Sequence, residues 1–433
     1  MGAIPGATVR VGGFSEENIR LFDVTDQYQA VEILGSVFQG NDGAWVLEAA
    51  VPGVSGDGDR VLLAMVDGRI ESPAGIESNT PSWWNTSDNS ADMVIIAHSD
   101  LLVAAERLAA FRSDHGVSTI VVDVADLYDE FSWGIKDPGA LRIFVDNAAA
   151  VWDHAPQYIL LMGDSSFDPR NYLGFGDRDL VPTKIVATNL LKTANDDWFA
   201  DIEGDGLANM AVGRLPAGTA QEAEAMVTKI IGYEQDAPAG PWAGKLTMVI
   251  DAVTGDFDFQ AAVDELEALI PATIESDRID LDETDQATAH QQILDAFEEG
   301  RLLVNYDGHG YQAVWASDDV FGNEDALCLE NGLKLPMVVA MNCLNGLFHD
   351  VYQDSLAEAL LKNPNGGAVM VWASSALTDP TGQDLMNRDL YRSLFGADAP
   401  TVGEAVMAAK ANVTDQDTRN TWILFGDPSM RLK

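Results

Sequence analysis

The sequence predicts an α/β protein: a small all-β, sandwich-like domain over residues 1–88, then two successive α/β units over 89–240 and 241–433. Three observations carry this. Short runs rich in β-branched residues, without a helical period, fill the first segment. From Asp92 onward, apolar strand-like runs alternate with amphipathic stretches, as in parallel sheets covered by helices. The alternation starts afresh near Lys245. A chain of 433 residues, 47% hydrophobic and 22% charged, is long enough for several cores and too apolar for extensive disorder.

In the first segment the strand candidates are ATVRVGG, IRLFDV, AVEILGSVF, AWVLEAAV and RVLLAMV. QGNDGAW puts an Asp-Gly turn between two of them. The polar, turn-rich stretch ESNTPSWWNTSDNSAD reads as a linker. In the second unit MVIIA, STIVVDV, YILLMGD and MAVGRLP are buried-strand runs. LLVAAERLAAFRSDHG is an amphipathic helix that stops at Gly116, and PGALRIFVDNAAAVW is a helix with Pro138 near its start. TAQEAEAMVTKIIGYEQD is a third helix. In the last unit the strands KLTMVID, LLVNYDG, PMVVAMNC and GAVMVWAS are interleaved with the helices FQAAVDELEALI, TAHQQILDAFEEG and SLAEALLKN.

Charge narrows the function. With 69 acidic and 25 basic residues the net charge is −44, which repels nucleic acid and anionic membranes and favours basic partners or divalent cations. No apolar run approaches the roughly 18 residues of a membrane span, so no membrane insertion is expected. MGAIPGATVR lacks a basic stretch followed by an apolar core, so no signal peptide is expected in this chain. Two cysteines, Cys328 and Cys343, exclude a disulfide framework and a C-x₂-C zinc site.

Ligands of open parallel sheets bind beyond the carboxyl ends of the strands. LLVNYDGHG ends in His309, between Gly308 and Gly310, and PMVVAMNC ends in Cys343. On adjacent strands, imidazole and thiol meet at one rim, where a base can generate the nucleophilic thiolate. The N–H groups of Gly310 and Cys343 are then candidate oxyanion donors. Against this stands ordinary packing of a small apolar cysteine at a strand end. Cys328, in the helical stretch NEDALCLENG, reads as packing.

A second constellation is NDDWFADIEGDG, with Asp197, Asp201, Glu203 and Asp205 in alternation before a glycine turn. Crowded hard oxygen ligands suit a structural Ca²⁺, although the spacing is not that of an EF-hand; the competing reading is a solvated acidic turn.

NYDGHG and MNCLNG, 34 residues apart from His309 to Cys343, are accompanied in order by YILLMGD, DDWFADIEGDG, AVGRLP, KIIGYE, GQDLMN and LFGDPS. This ordered set resembles the gingipain family of cysteine endopeptidases over residues 91–433. The resemblance implies a caspase-like, three-layer α/β/α catalytic unit of two subdomains. It implies His309 as general base and acid, Cys343 as nucleophile, and a thioester acyl-enzyme. It implies polypeptide substrates cut after arginine or lysine, calcium bound in the acidic loop, and an extracellular or cell-surface location.

Within TGDFDFQ, Asp258 falls where the family places the acid of its primary specificity pocket; the alternative is that Asp256 and Asp258 cap a helix. Ser374 and Ser375, in SSALTDPTGQD, resemble the segment on the pocket's other side. Trp315, six residues after His309, packs near the dyad or in the core. The glutamate with which some gingipains orient the histidine is missing from VIDAVTG, leaving Asp251 and Asp307 as candidates for a third member. The competing function is a catalytically silent, calcium-stabilised surface or scaffold module of the same fold.

Overall fold

The computed structural model describes residues 2–433 except 27–28, 54–59, 71–78, 254, 256, 317–319 and 398. The chain forms two compact units, residues 1–81 and 82–433.

The first unit has two antiparallel sheets. One orders Gly2–Ala3, Arg60–Val66, Ile19–Asp23 and Val31–Glu32; the other orders Thr8–Phe14, Trp45–Ala50 and Ser36–Gln39. Ile19, Leu21, Leu47, Ala49 and Leu62 form its core. The expected Asp-Gly turn is present: Gly40 N–H donates to the Ala44 carbonyl at 2.8 Å, and Gly43 takes φ +83°, a conformation glycine adopts without strain.

The second unit is built on one ten-stranded sheet. Its strands, numbered within this sheet, are β1 (Met93–Ala97), β2 (Thr119–Asp123), β3 (Tyr158–Met162), β4 (Ala211–Leu215), β5 (Lys245–Ile250), β6 (Glu275–Asp280), β7 (Leu303–Asp307), β8 (Met337–Met341), β9 (Met370–Ser374) and β10 (Trp422–Phe425). Their spatial order is β6-β5-β7-β8-β9-β10-β4-β3-β1-β2. Both faces are covered, which explains the continuous apolar runs. In β1, Met93, Ile95 and Ala97 join one core while Val94 and Ile96 join another.

The sheet consists of two parallel halves of opposite direction. β6, β5, β7, β8 and β9 run together, as do β10, β4, β3, β1 and β2. The antiparallel pair β9–β10 joins the halves. Their carboxyl edges therefore lie on opposite rims. Through β10, the end of the chain returns to the half built from its earlier residues.

Two strands do not appear among the sequence candidates. β6 (ESDRID) is an edge strand, largely solvated, so it carries charge where central strands carry valine and isoleucine. β10 (WILF) is buried throughout but only four residues long.

Candidate active site

β7 and β8 pair in register, with Asp307 opposite Met341. His309 and Cys343 each lie two residues past these strand ends, so both stand on the same rim of adjacent strands about 4.8 Å apart. Gly310 shows how closely the segments approach. A Cβ there would lie 2.1 Å from Asn342 Nδ2 and 3.1 Å from the Cys343 carbonyl, so only glycine fits.

His309 is fixed through its backbone and its ring is exposed. Its N–H donates to Asp251 Oδ2 at 2.8 Å. Its carbonyl accepts from the Tyr306 hydroxyl at 2.5 Å and from Ala316 N–H at 2.9 Å. The imidazole meets the Phe259 ring edge to face at 5.7 Å. Trp315 is fully buried and stacks on Tyr306 at 4.7 Å, so it braces the histidine turn from the core and has no surface for substrate.

Cys343 follows β8 into a sharp turn in which Leu344 takes φ +69°, a strained conformation for a branched side chain. The thiol accepts from Thr378 N–H at 3.5 Å and donates to the Thr378 carbonyl at 3.8 Å. Burial pushes its pKa up, so an adjacent base is needed to form thiolate at neutral pH. Among the described residues the Cys343 N–H has no acceptor. Cys328, by contrast, is exposed at the end of the helix Asn323–Cys328 and is not the packed side chain the sequence suggests.

The two candidate third members differ. Asp251 holds the backbone of His309, and burial raises its pKa. Asp307, the last residue of β7, is buried and accepts from Asn305 and Asn387. Burial, with Asp384 nearby, pushes it to about 7.

Asp258 is the exposed N-cap of the helix Phe259–Glu267, and its Oδ1 accepts from Ala261 N–H at 2.9 Å. The capping reading therefore describes one of its oxygens, and its neighbour Phe259 touches the His309 ring. Asp256 lies outside the described residues. Ser374 and Ser375 are fully buried. The Ser375 hydroxyl donates to the Ala194 carbonyl at 2.8 Å, and that of Ser374 donates to the Ala376 carbonyl at 3.2 Å. Both hydroxyls thus hold the end of β9 rather than a ligand. Beyond Thr378, the partner of the thiol, lies a cavity of about 400 Å³ lined by Leu190, Leu377, Asp379, Asp415 and Asp417.

The acidic loop is arranged differently. Asp197 pairs with the buried Lys410 at 2.5 Å. Asp201 accepts from the N–H groups of Asp205 and Gly206, both at 3.1 Å. Arg142 donates to the carbonyls of Trp198 and Asp201, and Arg419 to that of Asp205. No group of three or more His, Cys, Asp or Glu side chains placed to hold a metal ion is found among the described residues. Asp197 thus meets a cation of the chain, whereas the Asp201 and Asp205 carboxylates accept from backbone N–H groups of the loop itself.

Three residues at the rim were not singled out from sequence: Tyr306, Asn345 and Thr378. Tyr306 reads as one more apolar strand residue. Thr378 belongs to the loop after the next strand, and nothing local marks it. Asn345 had a signal, as a polar residue within the glycine turn after the cysteine.

The family model of peptidase family C25 matches residues 86–433. Gingipain R2 and gingipain R1 of Porphyromonas gingivalis are each 26% identical over 283 residues, covering 60% of this chain but only 37% and 27% of theirs. The chain thus matches well under half the length of these relatives. An uncharacterized protein of Archaeoglobus fulgidus is 25% identical over 326 residues, 68% of this chain and 77% of that one. The crystal structure of gingipain R (RgpB), described as an Arg specific cysteine proteinase, superposes with a TM-score of 0.66 at 20% identity, covering 82% of this chain and 80% of that one. The fold is therefore that of gingipain R, with a mixed α/β unit around a mostly parallel sheet.

Proposed function

The chain belongs to peptidase family C25, and from that premise we propose that it is a cysteine endopeptidase with Cys343 as nucleophile and His309 as general base and acid. The observation that carries this reading is the register of β7 and β8, which sets thiol and imidazole on one rim. His309 takes the thiol proton, and the thiolate attacks the scissile carbonyl. The N–H groups of Cys343 and Gly310 donate to the developing oxyanion. The C–N bond breaks, His309 protonates the leaving amine, and water, deprotonated by His309, hydrolyses the thioester.

A basic residue before the scissile bond fits the charge of the surroundings. Asp258 stands beside the ring that touches His309, and three aspartates line the cavity beyond Thr378. An arginine or lysine side chain would meet charge-assisted acceptors there. The family resemblance adds an extracellular or cell-surface setting. No helix among the described residues is long and apolar enough to cross a membrane.

Cleavage of arginyl and lysyl fluorogenic peptides by wild type and by Cys343→Ala tests the proposal. Loss of turnover in a variant with an unchanged melting curve is expected, and equal turnover would overturn it. The second reading, a silent module, is favoured by one observation: the half-buried thiol is engaged with the Thr378 backbone rather than the imidazole. A wild type inert to every peptide in the panel would support it.

A further inference from the structure

We propose that Asn345 is a positioning residue that fixes the separation of the Cys343 thiol and the His309 imidazole. The inference rests on the dyad assigned above and adds the element that holds its two halves together.

The ladder between β7 and β8 ends at Asp307 and Met341. Beyond it the segments stay close but leave the ladder, Gly308 N–H making a last backbone bond to the Met341 carbonyl at 3.2 Å. The histidine segment enters a small hairpin in which Gly310–Tyr311 pairs with Val314–Trp315. The cysteine segment turns through the strained Leu344. Neither reactive side chain lies within the ladder, so sheet pairing alone does not set their distance.

The amide of Asn345 ties the two segments beyond the end of the ladder. Its Nδ2 donates to the Tyr311 carbonyl at 2.5 Å and to the Val314 carbonyl at 3.3 Å, both in the histidine hairpin. Its Oδ1 accepts from Asn342 Nδ2 at 2.6 Å, on the cysteine side. Its backbone N–H returns to the Cys343 carbonyl at 3.0 Å, and its carbonyl accepts from Ala357 N–H at 3.1 Å. The residue is 1% exposed, so the amide has little water to turn to. Asn342 also packs against Gly310, directly after the histidine.

The chemistry requires an amide. Two carbonyls on one side need a donor, and Asn342 on the other needs an acceptor. An aspartate of the same shape offers acceptors only and would repel both carbonyls. Small errors in the placement of reacting atoms are costly, so loosening this tie damages proton transfer before it damages substrate binding.

The test is site-resolved alkylation of Cys343 by iodoacetamide, read by mass spectrometry at pH 6 and pH 9, on wild type, His309→Ala, Asn345→Asp and Asn345→Ser. Mass spectrometry separates Cys343 from the exposed Cys328. A thiolate held by an imidazolium reacts even at pH 6. His309→Ala is expected to lower that rate by about tenfold and leave the rate at pH 9 nearly unchanged. Folded Asn345→Asp is expected to do the same and to lower kcat with little change in KM.

A folded Asn345→Asp or Asn345→Ser with the wild-type pH profile, beside an altered His309→Ala, overturns the positioning role and leaves the dyad standing. An unaltered profile in His309→Ala overturns the dyad, and the positioning role with it. If neither Asn345 variant folds, the residue is a determinant of the fold and the proposal fails.

Discussion

The rim of β7 and β8 and the loop Asn195–Gly206 look equally reactive in sequence, yet the fold treats them in opposite ways. At the rim, backbone contacts hold His309 by both its N–H and its carbonyl, and its ring is left exposed. In the loop, the carboxylates themselves are occupied: Lys410 meets Asp197, and backbone N–H groups meet Asp201. Arg142 and Arg419 take loop carbonyls that could otherwise face a metal. The difference is that at the rim the imidazole is left exposed while the backbone around it is held. Where carboxylates are turned to a buried lysine and to backbone N–H groups, the same composition gives a structural joint.

The sharpest way to break this comparison is to remove the loop's own cation. Lys410 is 3% exposed in its side chain and pairs with an Asp197 that is 19% exposed. Lys410→Met leaves a partly buried carboxylate unpaired and is expected to cost about 3 kcal/mol, measured by urea unfolding. A loss under about 0.5 kcal/mol, the level of an exposed pair, would show that the loop is merely solvated.

A smaller effect is expected at the rim's edge. Asp258→Ala removes the carboxylate beside Phe259 and is expected to lower kcat/KM for arginyl and lysyl peptides by about a hundredfold, roughly 2.7 kcal/mol, relative to peptides with an apolar residue there. An unchanged preference would move selection to the aspartates of the cavity beyond Thr378. The helix loses its N-cap in the same variant, a change of about 1 kcal/mol in stability that a melting curve separates from specificity.

The smallest effect concerns calcium. With Asp197 on Lys410 and Asp201 on backbone N–H groups, stripping calcium with a chelator is expected to move the melting temperature by less than about 2 °C. A shift of about ten degrees or more would mean that an ion displaces Lys410 and gathers the carboxylates the sequence suggested.

Much of this was legible in the chain. The eight strand candidates of the two α/β units correspond to eight of the ten strands, because burial on both faces leaves valine, isoleucine, leucine and methionine little competition. That His309 and Cys343 follow the ends of neighbouring strands was legible for a related reason: a polar residue just after a buried strand is conspicuous. The reversal of direction between the sheet halves was not legible, since it depends on where β10 inserts. Partners distant in sequence were equally invisible. Lys410 lies far from Asp197 and Thr378 far from Cys343, and neither pairing leaves a local trace. Ser374 and Ser375 show the opposite failure: placed near a pocket by resemblance, they turn their hydroxyls to backbone carbonyls of the core.

If Cys343, and not Cys328, is the nucleophile, its reactivity depends on His309 on the shared rim of β7 and β8. Reaction with an arginyl chloromethyl ketone, followed by peptide mapping, tests this most directly. The account predicts an adduct on Cys343, none on Cys328, and loss of the adduct in His309→Ala. Labelling of Cys328 alone, or equal labelling of Cys343 with and without His309, would contradict it.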